Sequence, residues 1–278
     1  MSVNKIYNEL LMKVDTDLDI NDVILSKENR DKIEEFLIET KYADKFIEKN
    51  LRPMNRLLFY GASGTGKTYL SKALSNHLKY KMFYIDIATS ISQGNAAINI
   101  SNVFSIANEE KHCLIMLDEC DSIAWNRDSV GSDSGDIRRA TNSLFQQLDQ
   151  MEYSNIFIAA TNLLHRIDPA FERRFDMKLE FRRPELNLKD TISKFLHEDF
   201  KLIDDVDNTT RSIVERRNIL SHYEVKGIVE RAMKKAIVRN KSEVSTLEIY
   251  KDMAIAMRIK INLGTDKDSE DTFRSSIK

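Results

Sequence analysis

A parallel β-sheet with helices on both faces, followed by a smaller all-helical domain, is the α/β fold that this sequence predicts. Three observations carry it. Short apolar runs alternate with stretches of helical spacing as far as Pro184. A glycine-rich loop, Gly61–Thr68, joins one such run to one such stretch. Past Pro184 the helical spacing continues without convincing strand runs. Strands that are apolar throughout belong to sheets covered on both sides, which is the parallel arrangement.

Taken in order, residues 1–25 read as an irregular lead-in with one possible helical turn. From Lys27 to Ile47 the residues Ile33, Phe36, Leu37, Phe46 and Ile47 recur at roughly helical spacing, and Pro53 ends that run. Arg56–Tyr60 is a short strand closed by a glycine, and helical spacing resumes with Leu70, Ala73, Leu74 and Leu78. Strands are expected at Met82–Ile87, Cys113–Leu117, Ile156–Ala160 and Met177–Phe181, with helices at Ile98–Asn108 and Ile137–Met151. Helices at Leu188–Phe200, Thr210–Asn218, Tyr223–Asn240 and Thr246–Ile261 then make up the second domain. The expected division is therefore a lead-in over 1–25, an α/β domain over 26–184, a helical lid over 185–263 and a loose polar tail over 264–278.

Composition narrows the function. The 278 residues are 42% hydrophobic and 31% charged, as in a globular protein, and only 8 Gly and 3 Pro favour long helices. A formal net charge of -2 disfavours a dedicated nucleic-acid binder, which needs a positive excess against phosphates. Cys113 and Cys120 stand at the two ends of one strand, too far apart to be bridged, and fit no zinc pattern. The five histidines, His77, His112, His165, His197 and His222, are isolated, and no H-E-x-x-H helix occurs. Met1–Leu11 has neither the basic start nor the apolar stretch of a signal peptide, and no segment approaches the ~18 apolar residues of a membrane span. A cytoplasmic protein without a membrane partner is expected.

The residues Gly61-Ala62-Ser63-Gly64-Thr65-Gly66-Lys67-Thr68 satisfy G-x-x-x-x-G-K-[ST] between a strand and a helix, with Tyr69 following on the helix. Glycines let main-chain N–H groups close on phosphates, and the helix adds its positive end. Lys67 reaches the terminal phosphates of ATP or ADP, and the Thr68 hydroxyl takes a Mg²⁺ position. Further on, Leu114-Ile-Met-Leu117-Asp118-Glu119 is an apolar strand ending in two acids, at the sheet edge where such folds bind ligands. Asp118 is expected to hold Mg²⁺ through water and Glu119 to polarise the attacking water. Ile158-Ala-Ala-Thr161-Asn162 ends another strand, with Asn162 placed for the lytic water or the γ-phosphate.

A fourth block, Ile167-Asp-Pro-Ala-Phe-Glu-Arg173-Arg174-Phe-Asp176, completes a series that resembles the AAA family of hexameric ATPases, from about Asp19 to about Ile261. The resemblance implies a homo-oligomeric ring, in which Arg173 and Arg174 reach the γ-phosphate bound to the next subunit. They are adjacent here, whereas the family pattern places Pro-Gly between them, and Arg174, just before Phe175-Asp176, fits the finger position better. It also implies adenine contacts from Asp22, Val23, Ile192 and the turn Ser221-His222-Tyr223, where many relatives carry Gly-Ala. No arginine falls at the second-sensor site near Glu224. At the pore-loop position stands Ser92-Gln93-Gly94 in place of an aromatic, which counts against vigorous threading of polypeptide. Arg127–Ile137, polar and rich in Gly and Ser, reads equally as a second pore segment by this resemblance or as a solvated linker. With neither a protease helix nor a substantial adaptor domain, the chain reads as a bare motor module dependent on a protein client or partner enzyme. A nucleic-acid-associated loader, using Arg211, Arg216, Arg217, Lys226, Arg231, Lys234, Lys235, Arg239 and Lys241, and an ATP-dependent assembly switch are the alternative readings.

Overall fold

The computed structural model describes residues 11–12, 18–124, 135–183, 188–216 and 218–262. Two compact units emerge, one comprising Met1–Gly61 with Lys67–Phe181, the other Ala62–Gly66 with Arg182–Lys278.

Among the described residues the first unit is built on a sheet of six strands: β1 (Leu11–Met12), β2 (Arg56–Gly61), β3 (Lys81–Ile85), β4 (Cys113–Leu117), β5 (Ile156–Thr161) and β6 (Met177–Phe181). Their spatial order is β1-β3-β4-β5-β2-β6, and β2 to β6 run parallel. β4 and β5 are buried at every position, as runs that are apolar but for the terminal Thr161 require, whereas the edge strand β6 alternates. Residues that alternate along β2 enter opposite cores. Leu58 joins Phe83, Ile115 and Phe157 under α5 (Ala96–Glu110) and α6 (Gly135–Gln150). Leu57 and Phe59 join Met116 and Ile158 under α1 (Lys27–Lys41) and α3 (Lys67–Leu78). Between α1 and β2 lies the short α2 (Ala43–Glu48).

Three local expectations fail. The lead-in supplies β1, which pairs antiparallel with β3 through Leu11↔Phe83 and Met12↔Met82, so the sheet is not wholly parallel. Two residues carry no period from which a strand could be read. Secondly, β3 stops at Ile85 rather than Ile87. Asp86 caps α4 (Ile87–Ser92) by accepting from the Thr89 N–H at 3.0 Å, so the local cap overrides the apolar run. Thirdly, the C-terminal unit is not all helix. It holds α8 (Leu188–Phe195), α9 (Asn208–Arg216), α10 (His222–Val238) and α11 (Thr246–Asn262), together with a parallel pair formed by β7 (Lys201–Ile203) and β8 (Glu243–Ser245). Lys201 N–H donates to Ser242 O at 2.8 Å, and this long-range pairing draws off the end of the helix expected to run to Phe200.

Candidate functional site

β2 lies beside β5, and β5 beside β4, so the carboxyl ends of three neighbouring strands deliver Gly61, Asn162 and Asp118 to one edge. α3 begins there at Lys67. Lys67 is 6% exposed, and its ammonium donates to Gly61 O and to Asn162 Oδ1, both at 2.7 Å. Burial pulls its pKa down to about 8, against a smaller raising effect from the carboxylates of Asp118 and Asp121. Thr68 donates its hydroxyl to Asp118 Oδ2 at 2.6 Å. Gly61 is required by close approach, because a Cβ there would stand 2.1 Å from Phe181 O on β6.

Glu119 is exposed and has φ 50° and ψ 43°, a left-handed conformation that costs a non-glycine residue on the order of 1 kcal/mol. Its N–H donates to Asp118 Oδ1 at 3.0 Å, and its carbonyl accepts from Ser122 N at 2.9 Å, opening the 3₁₀ turn Cys120–Ser122. The chain therefore swings sharply at the end of β4, separating the two acids by direction. Asp118 is drawn to Thr68, and Glu119 is left open to solvent.

Within the second unit, Thr65 donates its hydroxyl to Ala62 O at 2.7 Å, and Ser63 and Gly64 are exposed. Gly64 has φ +73°, and a Cβ there would meet Ser221 Oγ at 2.7 Å. Tyr223 N–H donates to Gly64 O at 3.1 Å. Ser221 caps α10 in a reciprocal box with Glu224, which in turn accepts from Lys260 at 3.0 Å. His222 Nδ1 is buried with no hydrogen-bond partner among the described residues, and burial lowers the imidazole pKa to about 4.

The remaining expected residues are scattered. Tyr69 is 39% exposed on α3. Asp22 ends a 3₁₀ turn, and Val23 is buried in the α1–α3 core. Ile192 is fully buried in the core of the second unit. Arg173 is exposed, just past α7 (Pro169–Glu172). Arg174 is held within its own chain: Nε and Nη2 donate to the two oxygens of Asp149 at 3.1 and 3.2 Å, and the guanidinium lies 4.3 Å above the Phe145 ring. Ser92 ends α4, and Gln93 and Gly94 follow as an exposed turn before α5, with Gly94 at φ +69°. Most of the Arg127–Ile137 segment and the whole 264–278 tail lie outside the described residues. Two residues at the site escaped the sequence reading, Asp121 and Asp149. Their only signal was an acid one turn beyond Asp118-Glu119, and an acid at the end of a helix.

A lysine, a hydroxyl and a carboxylate gathered where a glycine loop leaves a parallel sheet define the class of P-loop nucleotide-binding proteins. Comparison with known proteins points to the same class. Residues 57–183 match the model of the ATPase family associated with various cellular activities, AAA. An uncharacterized AAA family ATPase of Sinorhizobium fredii is 29% identical over 238 residues, 85% of this chain and 70% of that protein. A 26S proteasome regulatory subunit 8 homolog of Schizosaccharomyces pombe is 29% identical over 248 residues, 86% of this chain and 60% of that protein. An ATP-dependent zinc metalloprotease FtsH of Clostridium perfringens is 30% identical over 215 residues, 74% of this chain but 30% of that protein. Over residues 57–183 the chain is similar to the AAA family of ATPases, and it spans 70%, 60% and 30% of the length of these three relatives. ATP hydrolysis is the activity these likenesses support. No helix among the described residues is long and apolar enough to cross a membrane.

Proposed function

We propose that the chain is the motor of a hexameric, Mg²⁺-dependent ATPase that remodels protein complexes or drives a separate partner enzyme in the cytoplasm. One observation carries the nucleotide part: Lys67 meets Asn162 and Thr68 meets Asp118, side by side above adjacent strand ends. In the proposed reading the main-chain N–H groups of Ala62–Gly66 bind the phosphates of ATP. Lys67 then exchanges Asn162 for the terminal phosphates and neutralises their charge. A hydroxyl and a carboxylate at 2.6 Å are hard oxygen donors suited to Mg²⁺, so Thr68 and Asp118 would hold that ion. When bound, Mg²⁺ would withdraw charge from the phosphates. Glu119 takes the proton of the attacking water, and Asn162 orients that water.

Arg173 acts in this reading on the nucleotide of a neighbouring copy, with Arg174 beside it as support. The exposed side chain of Arg173 supports its reach, and Arg174, tied to Asp149, steadies the segment that carries it. The sequence position favoured Arg174 for reaching; its anchoring shifts that role to Arg173. Relatives named as proteasome subunits and FtsH support protein clients. The small polar turn at Ser92-Gln93 supports remodelling over sustained threading. Pairing of Lys235 with Asp252, Arg239 with Glu248 and Arg211 with Asp204 supports a solvated face in place of a nucleic-acid stripe. The buried free thiols of Cys113 and Cys120 accord with a reducing compartment.

The test is Glu119→Gln. It should bind ATP normally, sediment as a hexamer in Mg-ATP and lose turnover by about 10²- to 10⁴-fold. Full turnover, or a persistent monomer that still turns over, contradicts the proposal.

A further inference from the structure

We propose that Asp121 and Thr161 are positioning residues for hydrolysis: the Thr161 hydroxyl, held by the Asp121 carboxylate, fixes the turn that presents Asn162 to Lys67. The register between β4 and β5 ends at Leu117↔Ala159. Beyond it the two strands no longer share a main-chain ladder, yet Asp118, Glu119 and Asn162 all lie past that point. A side-chain bridge takes over. Thr161 is 1% exposed and donates its hydroxyl to Asp121 Oδ1 at 2.6 Å.

Thr161 Oγ1 in turn accepts from Leu163 N–H at 2.9 Å. Each direction is forced. A main-chain N–H can only donate, and an ionised carboxylate can only accept, so the single hydroxyl proton lies on the Asp121 side. A bond to a charged acceptor is also stronger than one between neutral groups. Asn162 is therefore bracketed on both sides, by Thr161 before it and Leu163 after it. Its amide oxygen, otherwise on an exposed loop, stays at 2.7 Å from the Lys67 ammonium. Asp121 belongs to the 3₁₀ turn opened by Glu119, so one carboxylate ties the segment of the two acids to the segment of the amide.

The inference rests on the proposed role of Asn162, and its test separates the two. Turnover at saturating Mg-ATP and affinity for ADP are measured on the full chain for Thr161→Val, Thr161→Ser, Asp121→Ala, the double variant Asp121→Ala/Thr161→Val, and Asn162→Ala. Thr161→Val and Asp121→Ala should each lower kcat by about 10- to 100-fold, because a small misplacement is costly in rate. Affinity for ADP should stay within about threefold, as expected when ground-state binding is untouched. Thr161→Ser, which keeps the hydroxyl, should restore kcat. The double variant should be no worse than either single one, since both remove the same bond.

Unchanged kcat in Thr161→Val, failure of Thr161→Ser to restore it, or additive losses in the double variant overturn the inference. If Thr161→Val does not fold, Asp121→Ala, at a partly exposed position, reads out the same bond. Normal turnover in Asn162→Ala would instead remove the role assigned to the amide itself. Loss there with normal turnover in Thr161→Val removes the positioning alone.

Discussion

The two ends of the central strands use the same side-chain chemistry for opposite purposes. At the amino ends, Asn155 is fully buried and spends its amide on fixed partners: Nδ2 donates to Ala107 O and Asn108 Oδ1, and Oδ1 accepts from Cys113 N–H at 3.0 Å. Asn55 donates to the carbonyls of Asn155 and Glu152, and Asp176 accepts from Asn55 N–H and Arg56 N–H. At the carboxyl ends, Asn162 accepts from the Lys67 side chain, and Asp118 from the Thr68 and Glu119 groups beside it. Polar groups bound mainly to backbone hold the fold. Those bound to side chains that can turn away are free to exchange partners for a ligand.

That contrast predicts losses of rate at one end and of stability at the other. Arg173→Ala should have the largest effect, on the order of 10³-fold in turnover, with unfolding unchanged. Arg174→Ala should instead lower stability by about 1 kcal/mol through its lost pair and ring contact. Mixing Arg173→Ala with Glu119→Gln subunits that retain their arginines should recover part of the turnover; a mixture that stays dead breaks the trans-acting reading. Lys67→Ala should weaken ATP binding by about 100-fold, the worth of charge-assisted bonds to phosphate, measured by calorimetry. Asn155→Ala should cost about 3 kcal/mol in denaturant unfolding by orphaning buried groups, while ATP affinity in the folded protein stays normal. Altered affinity with normal stability would erase the distinction between the two ends.

A dependence on pH is expected at His222. Its folded pKa of about 4 lies below the ordinary 6.5, so the unfolded chain binds more protons between those values. The stability associated with the neutral ring is present above pH 6.5 and is lost as pH falls through 4. From pH 7 to 4.5 the wild type should lose about 2 kcal/mol more than His222→Gln. Equal acid sensitivity would show that the imidazole is not held neutral.

Much of this was legible in the residues. Cys113–Leu117 and Met177–Phe181 are strands with the bounds their apolar patterns suggest, and the helices covering the sheet follow from helical spacing. Gly61–Thr68 and Asp118-Glu119, on which the proposed phosphate site rests, stand out because such a role needs particular residue types at particular intervals. β1, β7 and β8 did not, since two or three residues show no period and their partners lie far along the chain. Asp121 and Asp149 were hidden for a related reason. An acid on a turn or a helix end looks solvated until the fold brings Thr161 or Arg174 against it.

In the proposed cycle ATP displaces Asn162 from Lys67 at the carboxyl edge of the sheet. A crystal structure of the Glu119→Gln chain with Mg-ATP tests it most directly. Phosphates should lie against Ala62–Gly66 with the Lys67 ammonium moved onto them, and Thr68 and Asp118 would hold the cation. Nucleotide bound elsewhere, with Lys67 still on Gly61 O and Asn162, would contradict it.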